Sequence, residues 1–85
     1  MDERILDLRE KIDKIDKKII NLIKNRMDIA KEVGKIKSTL NIPIEDKKRE
    51  EEIISRLVEF SDGSLNPNQL IRIITALFKI SKQVQ

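Results

Sequence analysis

The chain has 85 residues, with 18 Lys and Arg against 15 Asp and Glu for a formal net charge of +3. Neither cysteine nor histidine occurs, which removes disulfides, thiolate metal sites and the Ser–His and Cys–His catalytic pairs, and takes away the usual general base of neutral pH. That mild positive excess is weak evidence for nucleic acid, and two phenylalanines, with no tyrosine or tryptophan, leave almost nothing to stack on bases, which lowers that reading further.

The first element begins at once. Ile5, Leu8, Ile12, Ile15, Ile19, Leu22, Arg26, Ile29, Val33, Ile36 and Leu40 step by alternating threes and fours, a heptad seam in which Arg26 alone is not apolar. Only Gly34 interrupts the good helix formers, and no proline occurs before Pro43. The pattern predicts one helix over residues 3–39, capped by Asp2 and ended ahead of Asn41-Ile-Pro43, because a residue preceding proline avoids helical dihedrals. The start MDERILDLREK is charged from its second residue, unlike a signal or transit peptide. No apolar run approaches the roughly 18 residues of a membrane span. A soluble, cytoplasmic protein is the expectation.

Asp46 then predicts an N-cap for a second helix over 47–60, with Ile53, Ile54, Leu57 and Val58 inward. Ser61-Asp-Gly-Ser reads as a turn. Asn66-Pro67 starts a third helix over 67–84, with Leu70, Ile73, Ile74, Leu77 and Phe78 as its buried stripe. The expected fold is therefore all-α, a single domain over 1–85 built as a three-helix protomer with one very long N-terminal helix. Such a first helix is roughly 55 Å long, whereas a compact globule of this size has a radius of gyration of about 12 Å. Two short helices cannot cover that seam, so an antiparallel helical homodimer is expected, the long helices packing about a two-fold axis.

Several polar residues do not suit a plain bundle. An unpaired guanidinium buried at position 26 costs several kcal/mol, so Arg26 needs an anionic partner, either an internal glutamate or a ligand; a register-setting role is the further alternative. Lys37 falls near the same face, roughly 16 Å further along the axis, while Arg9 lies about 42 Å from Lys37. Taken singly, Arg9 and Lys37 read as solvated charges flanking the seam, and one chain cannot bring both to a single small ligand. If an antiparallel axis crosses near Ile19 and Ile20, Arg9 of one protomer comes level with the stretch between Arg26 and Lys37 of the other. Asp46, Arg49 and Glu50 open the second helix, where free backbone N–H groups suit an anion or hydroxyl; a solvated charged face is the plain alternative. Ser81 and Gln85 share a stripe with Leu77, and Ser81 can equally bond back to the carbonyl of Leu77.

Taken in order, Leu8-Arg9 through Asp16, Arg26, Val33-Gly34-Lys-Ile-Lys37, Pro43-x-x-Asp46-x-x-Arg49-Glu50 and the closing Ser81 and Gln85 resemble the all-helical class (type II) of chorismate mutase over essentially the whole chain. What the resemblance implies is an intertwined homodimer with shared sites that converts chorismate to prephenate, a step of aromatic amino-acid biosynthesis, with no metal or cofactor. Transferred residue by residue, it assigns Arg26 and the Arg9 of the partner subunit to the two substrate carboxylates. Lys37 then reaches a carboxylate and the ether oxygen of the breaking bond, with Gln85 as second donor to that oxygen. Glu50 accepts from the ring hydroxyl, the amide of Asp46 supports that contact, and Arg49 and Ser81 complete the wall. The alternatives are an isochorismate pyruvate lyase-like enzyme and a catalytically silent helical dimer or binding module.

Overall fold

The computed structural model describes all residues from Met1 to Gln85. Three helices and no strand make up the chain: α1 (Glu3–Leu40), α2 (Lys47–Ser61) and α3 (Pro67–Val84). Each starts on a side-chain cap. The Asp2 carboxylate accepts from the Arg4 amide at 2.8 Å and pairs with the Arg4 guanidinium at 2.7 Å, and these bonds hold the Asp2 carboxyl below its ordinary value. Asp46 accepts from the Arg49 amide at 3.0 Å, and Asn66 from the Asn68 amide at 2.8 Å with Pro67 in the first turn.

The end of α1 has its own device. Asn41 turns left-handed at φ 56°, and the amides of Ile42 and Asn41 return to the carbonyls of Lys37 and Ser38 at 2.9 and 3.4 Å, a Schellman closure. Asparagine is among the few residues that tolerate this conformation. The turn aims the 41–46 connection back along α1 toward the residues that precede the cap.

α3 lies between the other two helices and packs on both, with no close backbone approach of α1 to α2. Leu70, Ile74 and Phe78 form the core, with Ile53, Ile54 and Val58 of α2 packed against it. Ile74 is the most buried residue at 2% exposure, whereas Ile73, expected on the inner stripe, is 55% exposed and Leu57 of α2 also faces outward. The helix shows its partners a stripe narrower than its run of apolar residues, because each neighbour covers one side only.

Where α3 crosses α1 it does not use the heptad seam. The buried residues of α1 are Met27, Ala30 and Gly34, one position over from Arg26, Ile29 and Val33. Seam residues such as Ile12, Leu22 and Ile36 stay exposed, Leu22 at 67%. The chain is accordingly elongated, 57 × 25 × 16 Å with a radius of gyration of 16.5 Å. No helix is long and apolar enough to cross a membrane.

Candidate active site

Three segments converge where α3 ends on α1. The third quarter of α1 presents Arg26 and, three turns on, Lys37. The first turn of α2 supplies Asp46, Arg49 and Glu50, and the last turns of α3 supply Phe78, Ser81, Lys82 and Gln85. Together with Ile44 and Ile53 these line one recess of about 100 Å³. It opens into a wider cleft of about 290 Å³ along α1, floored by Ile29, Ala30 and Val33. Seven of the eight residues named from the sequence meet here. Arg9 does not: it stands in the N-terminal half of α1, 17 residues or roughly 26 Å along the axis from Arg26.

The seam arginine has no carboxylate within 4.0 Å, so the internal-glutamate alternative fails. Its Nη1 donates instead to the hydroxyl of Ser81, and its guanidinium lies 6.0 Å from the centre of the Phe78 ring, a cation–π distance. Ser81 in turn donates to the carbonyl of Leu77 at 2.8 Å. The hydroxyl thus makes the local back-bond of a helix serine and also anchors Arg26. Both contacts are neutral, so the guanidinium retains its full appetite for an anion, held in place before one arrives.

Lys37 is half-buried and donates to the carbonyl of Ile44 at 2.9 Å, the consequence of the Schellman turn that folds the connection back. Glu50 faces the recess and pairs with Lys82 at 3.3 Å, while Lys82 also approaches Glu45 at 3.6 Å. Arg49 is exposed and touches Glu52 at 3.7 Å. The Oε1 atom of Gln85 is buried without a hydrogen-bond partner, a cost that a polar ligand can relieve. Gln85 is placed by Gly34: a Cβ at position 34 would lie 2.8 Å from the Gln85 Cα.

Gly34, Phe78 and Lys82 were not singled out from the sequence as site residues. The lone glycine inside a 38-residue helix was a readable signal of close approach. Phe78 belongs to the core of α3, and its face also serves Arg26. Lys82 is one of 18 basic residues and carried no signal of its own.

Around the recess stand four cations, Arg26, Lys37, Arg49 and Lys82, against two carboxylates, Asp46 and Glu50. Lys82 and Arg49 have carboxylate partners, whereas Arg26 and Lys37 have none within 4.0 Å; two unpaired cations suit a dianion, and no thiol or imidazole nucleophile is present. Comparison with known proteins agrees with this constellation. Residues 8–85 match the family model described as chorismate mutase type II. The chorismate mutase of Methanocaldococcus jannaschii is 38% identical over 100% of this chain and 87% of its own length. A bifunctional chorismate mutase/prephenate dehydratase of Aquifex aeolicus is 32% identical over 98% of this chain, which spans 25% of that longer protein. Among solved structures, the Thermus thermophilus chorismate mutase superposes with a TM-score of 0.87 at 29% identity, covering 92% of this chain and 98% of the other. The all-helical chain, with its cationic recess between α1, α2 and α3, belongs to the type II chorismate mutase family.

Proposed function

We propose that the recess binds chorismate, a dicarboxylate, and rearranges it to prephenate. The observation that carries this reading is a pair of cations without carboxylate partners, Arg26 and Lys37, in one recess, with Arg26 preorganised by Ser81 and Phe78. In a [3,3] rearrangement one carbon–oxygen bond breaks as one carbon–carbon bond forms. No proton moves and no nucleophile adds, so a chain without histidine or cysteine is chemically equipped.

Two effects do the work. The clamp holds the flexible dianion in its compact reactive conformer, and donors are aimed at the ether oxygen, where negative charge grows as the bond lengthens. A millionfold acceleration corresponds to about 8 kcal/mol, within the combined reach of the two. Arg26 supplies a planar fork for one carboxylate. Lys37, a point charge on a flexible stem, exchanges the Ile44 carbonyl for the ether oxygen, and Gln85 approaches that oxygen from the end of α3. Glu50 accepts from the ring hydroxyl, supported by the amide of Asp46, with Arg49 at the mouth and Ser81 behind Arg26.

A second carboxylate needs one more cation, and Arg9 of the partner subunit provides it. The exposed seam supports an intertwined antiparallel homodimer: burying residues such as Leu22, Ile29 and Ile36 at about 25 cal/mol per Å² offsets the thin core of a single chain, in which five apolar residues are buried. With the axis near Ile19 and Ile20, one operation creates two equal sites.

Mixing the purified chain with chorismate tests the reading directly. The expected result is loss of chorismate absorbance with prephenate as the product. Pyruvate would identify a lyase, and unchanged chorismate would identify a silent binder.

A further inference from the structure

Lys82 stands one residue beyond Ser81, on the side of α3 that faces α2. Its ammonium lies 3.3 Å from Oε2 of Glu50 and 3.6 Å from Oε1 of Glu45, so a single cation joins the end of α3, the first turn of α2 and the 41–46 connection. The Lys82 side chain is 35% exposed and that of Glu50 25%, which screens the pair less than one in open water. Glu50 has no other charged partner within 4.0 Å. Without Lys82 it would present a bare carboxylate, on a stem with free rotation, to a ligand carrying two negative charges. With Lys82 on Oε2, its charge is balanced and Oε1 remains free to accept a hydroxyl.

We infer that Lys82 is a positioning residue for substrate binding, neutralising and orienting Glu50 while tying the 41–46 connection to it. This rests on the reading of the recess as the chorismate site. The hydrogen bond that Glu50 would make to a ring hydroxyl is present in the ground state and the transition state alike, so an error in its charge or aim appears in KM before kcat. Glu45, 3.6 Å from the same ammonium, draws the lysine toward the 41–46 connection, so that it does not act as an independent cation.

The test is steady-state kinetics with chorismate for the wild type, Lys82→Met, Lys82→Gln, Lys82→Arg, Glu50→Gln and the Lys82→Met/Glu50→Gln double variant, with a thermal melt of each. Both neutral variants are expected to raise KM about tenfold while kcat changes less than about twofold, and Lys82→Arg to stay near the wild type. In the Glu50→Gln background, where no carboxylate needs balancing, Lys82→Met should add less than about twofold, a double-mutant coupling. An equal KM rise in both backgrounds, or no rise in the single variants, overturns the inference. A wild-type chain that leaves chorismate unchanged overturns the functional reading and this inference with it, whereas a wild type that turns it over with unaffected Lys82 variants overturns this inference alone.

Discussion

The backbone of Gln85 rests against Gly34 so closely that a Cβ added there would lie 2.8 Å from the Gln85 Cα and 3.0 Å from its carbonyl oxygen. The obstacle is main chain, so no rotamer change can relieve it. The absent side chain on α1 thus sets where Gln85 sits. Gly34→Ala should push that end of α3 away by several tenths of an ångström and lower kcat about tenfold or more. Stability should stay within about 1 kcal/mol, since alanine's helix propensity offsets the displacement. A kinetic assay beside a thermal melt checks both, and an unchanged kcat would mean that Gln85 does not need this approach.

Lys37→Ala should cost about 3–4 kcal/mol of transition-state stabilisation, roughly a few hundredfold in kcat/KM, as expected for loss of a donor to a developing oxyanion. Helix content by circular dichroism should not change, because the Schellman closure of α1 uses the backbone carbonyl of Lys37 and not its side chain. Retained activity would remove Lys37 from its assigned role.

Arg26→Leu should abolish turnover and leave the melting temperature equal or higher. No carboxylate is orphaned by the change, and Ser81 keeps its bond to the Leu77 carbonyl, so no buried polar group is stranded. Leucine also restores the heptad. A variant destabilised by more than about 1 kcal/mol would show that the contacts to Ser81 and Phe78 are structural.

Equal mixing of Arg9→Ala with Lys37→Ala, each inactive alone, should restore roughly a quarter of wild-type activity after subunit exchange, because half the dimers are mixed and each contains one intact site. Proven exchange without recovery would argue that each site is built from one chain.

Leu22→Lys, at a seam position 67% exposed in the single chain, should shift the sedimentation profile toward monomer and make the melting temperature fall steeply on dilution. Activity should fall with dimer content. A fully monomeric wild type of undiminished activity would refute the shared-site dimer.

Much of the architecture is local and was legible for that reason. The caps Asp2, Asp46 and Asn66 sit beside the amides they satisfy, and the heptad period of α1 is written over nearly its whole length. Cap and periodicity are short-range properties, decided within a few residues of chain. The mismatch between a long helix and two short ones was equally arithmetic, and an elongated chain with an uncovered seam is what results. Arg26 could be flagged as misplaced because a charge in a heptad violates that same local pattern.

Which partner each polar residue takes is a different matter, because it depends on how α3 lies across α1. Docking on Met27, Ala30 and Gly34 instead of the seam turns Ser81 toward Arg26, presses Gln85 onto Gly34 and carries Lys82 across to Glu50. None of these pairs is closer than 32 residues in the chain, and a lysine that will neutralise a carboxylate is indistinguishable in sequence from one that merely solvates a helix. Short-range rules suffice for three capped helices, an apolar seam too long for one chain and an arginine out of place in it. That the arginine is steadied by a hydroxyl and an aromatic face follows from the way α3 crosses α1, because packing between distant helices, unlike capping and periodicity, is set by side-chain shape along the whole crossing.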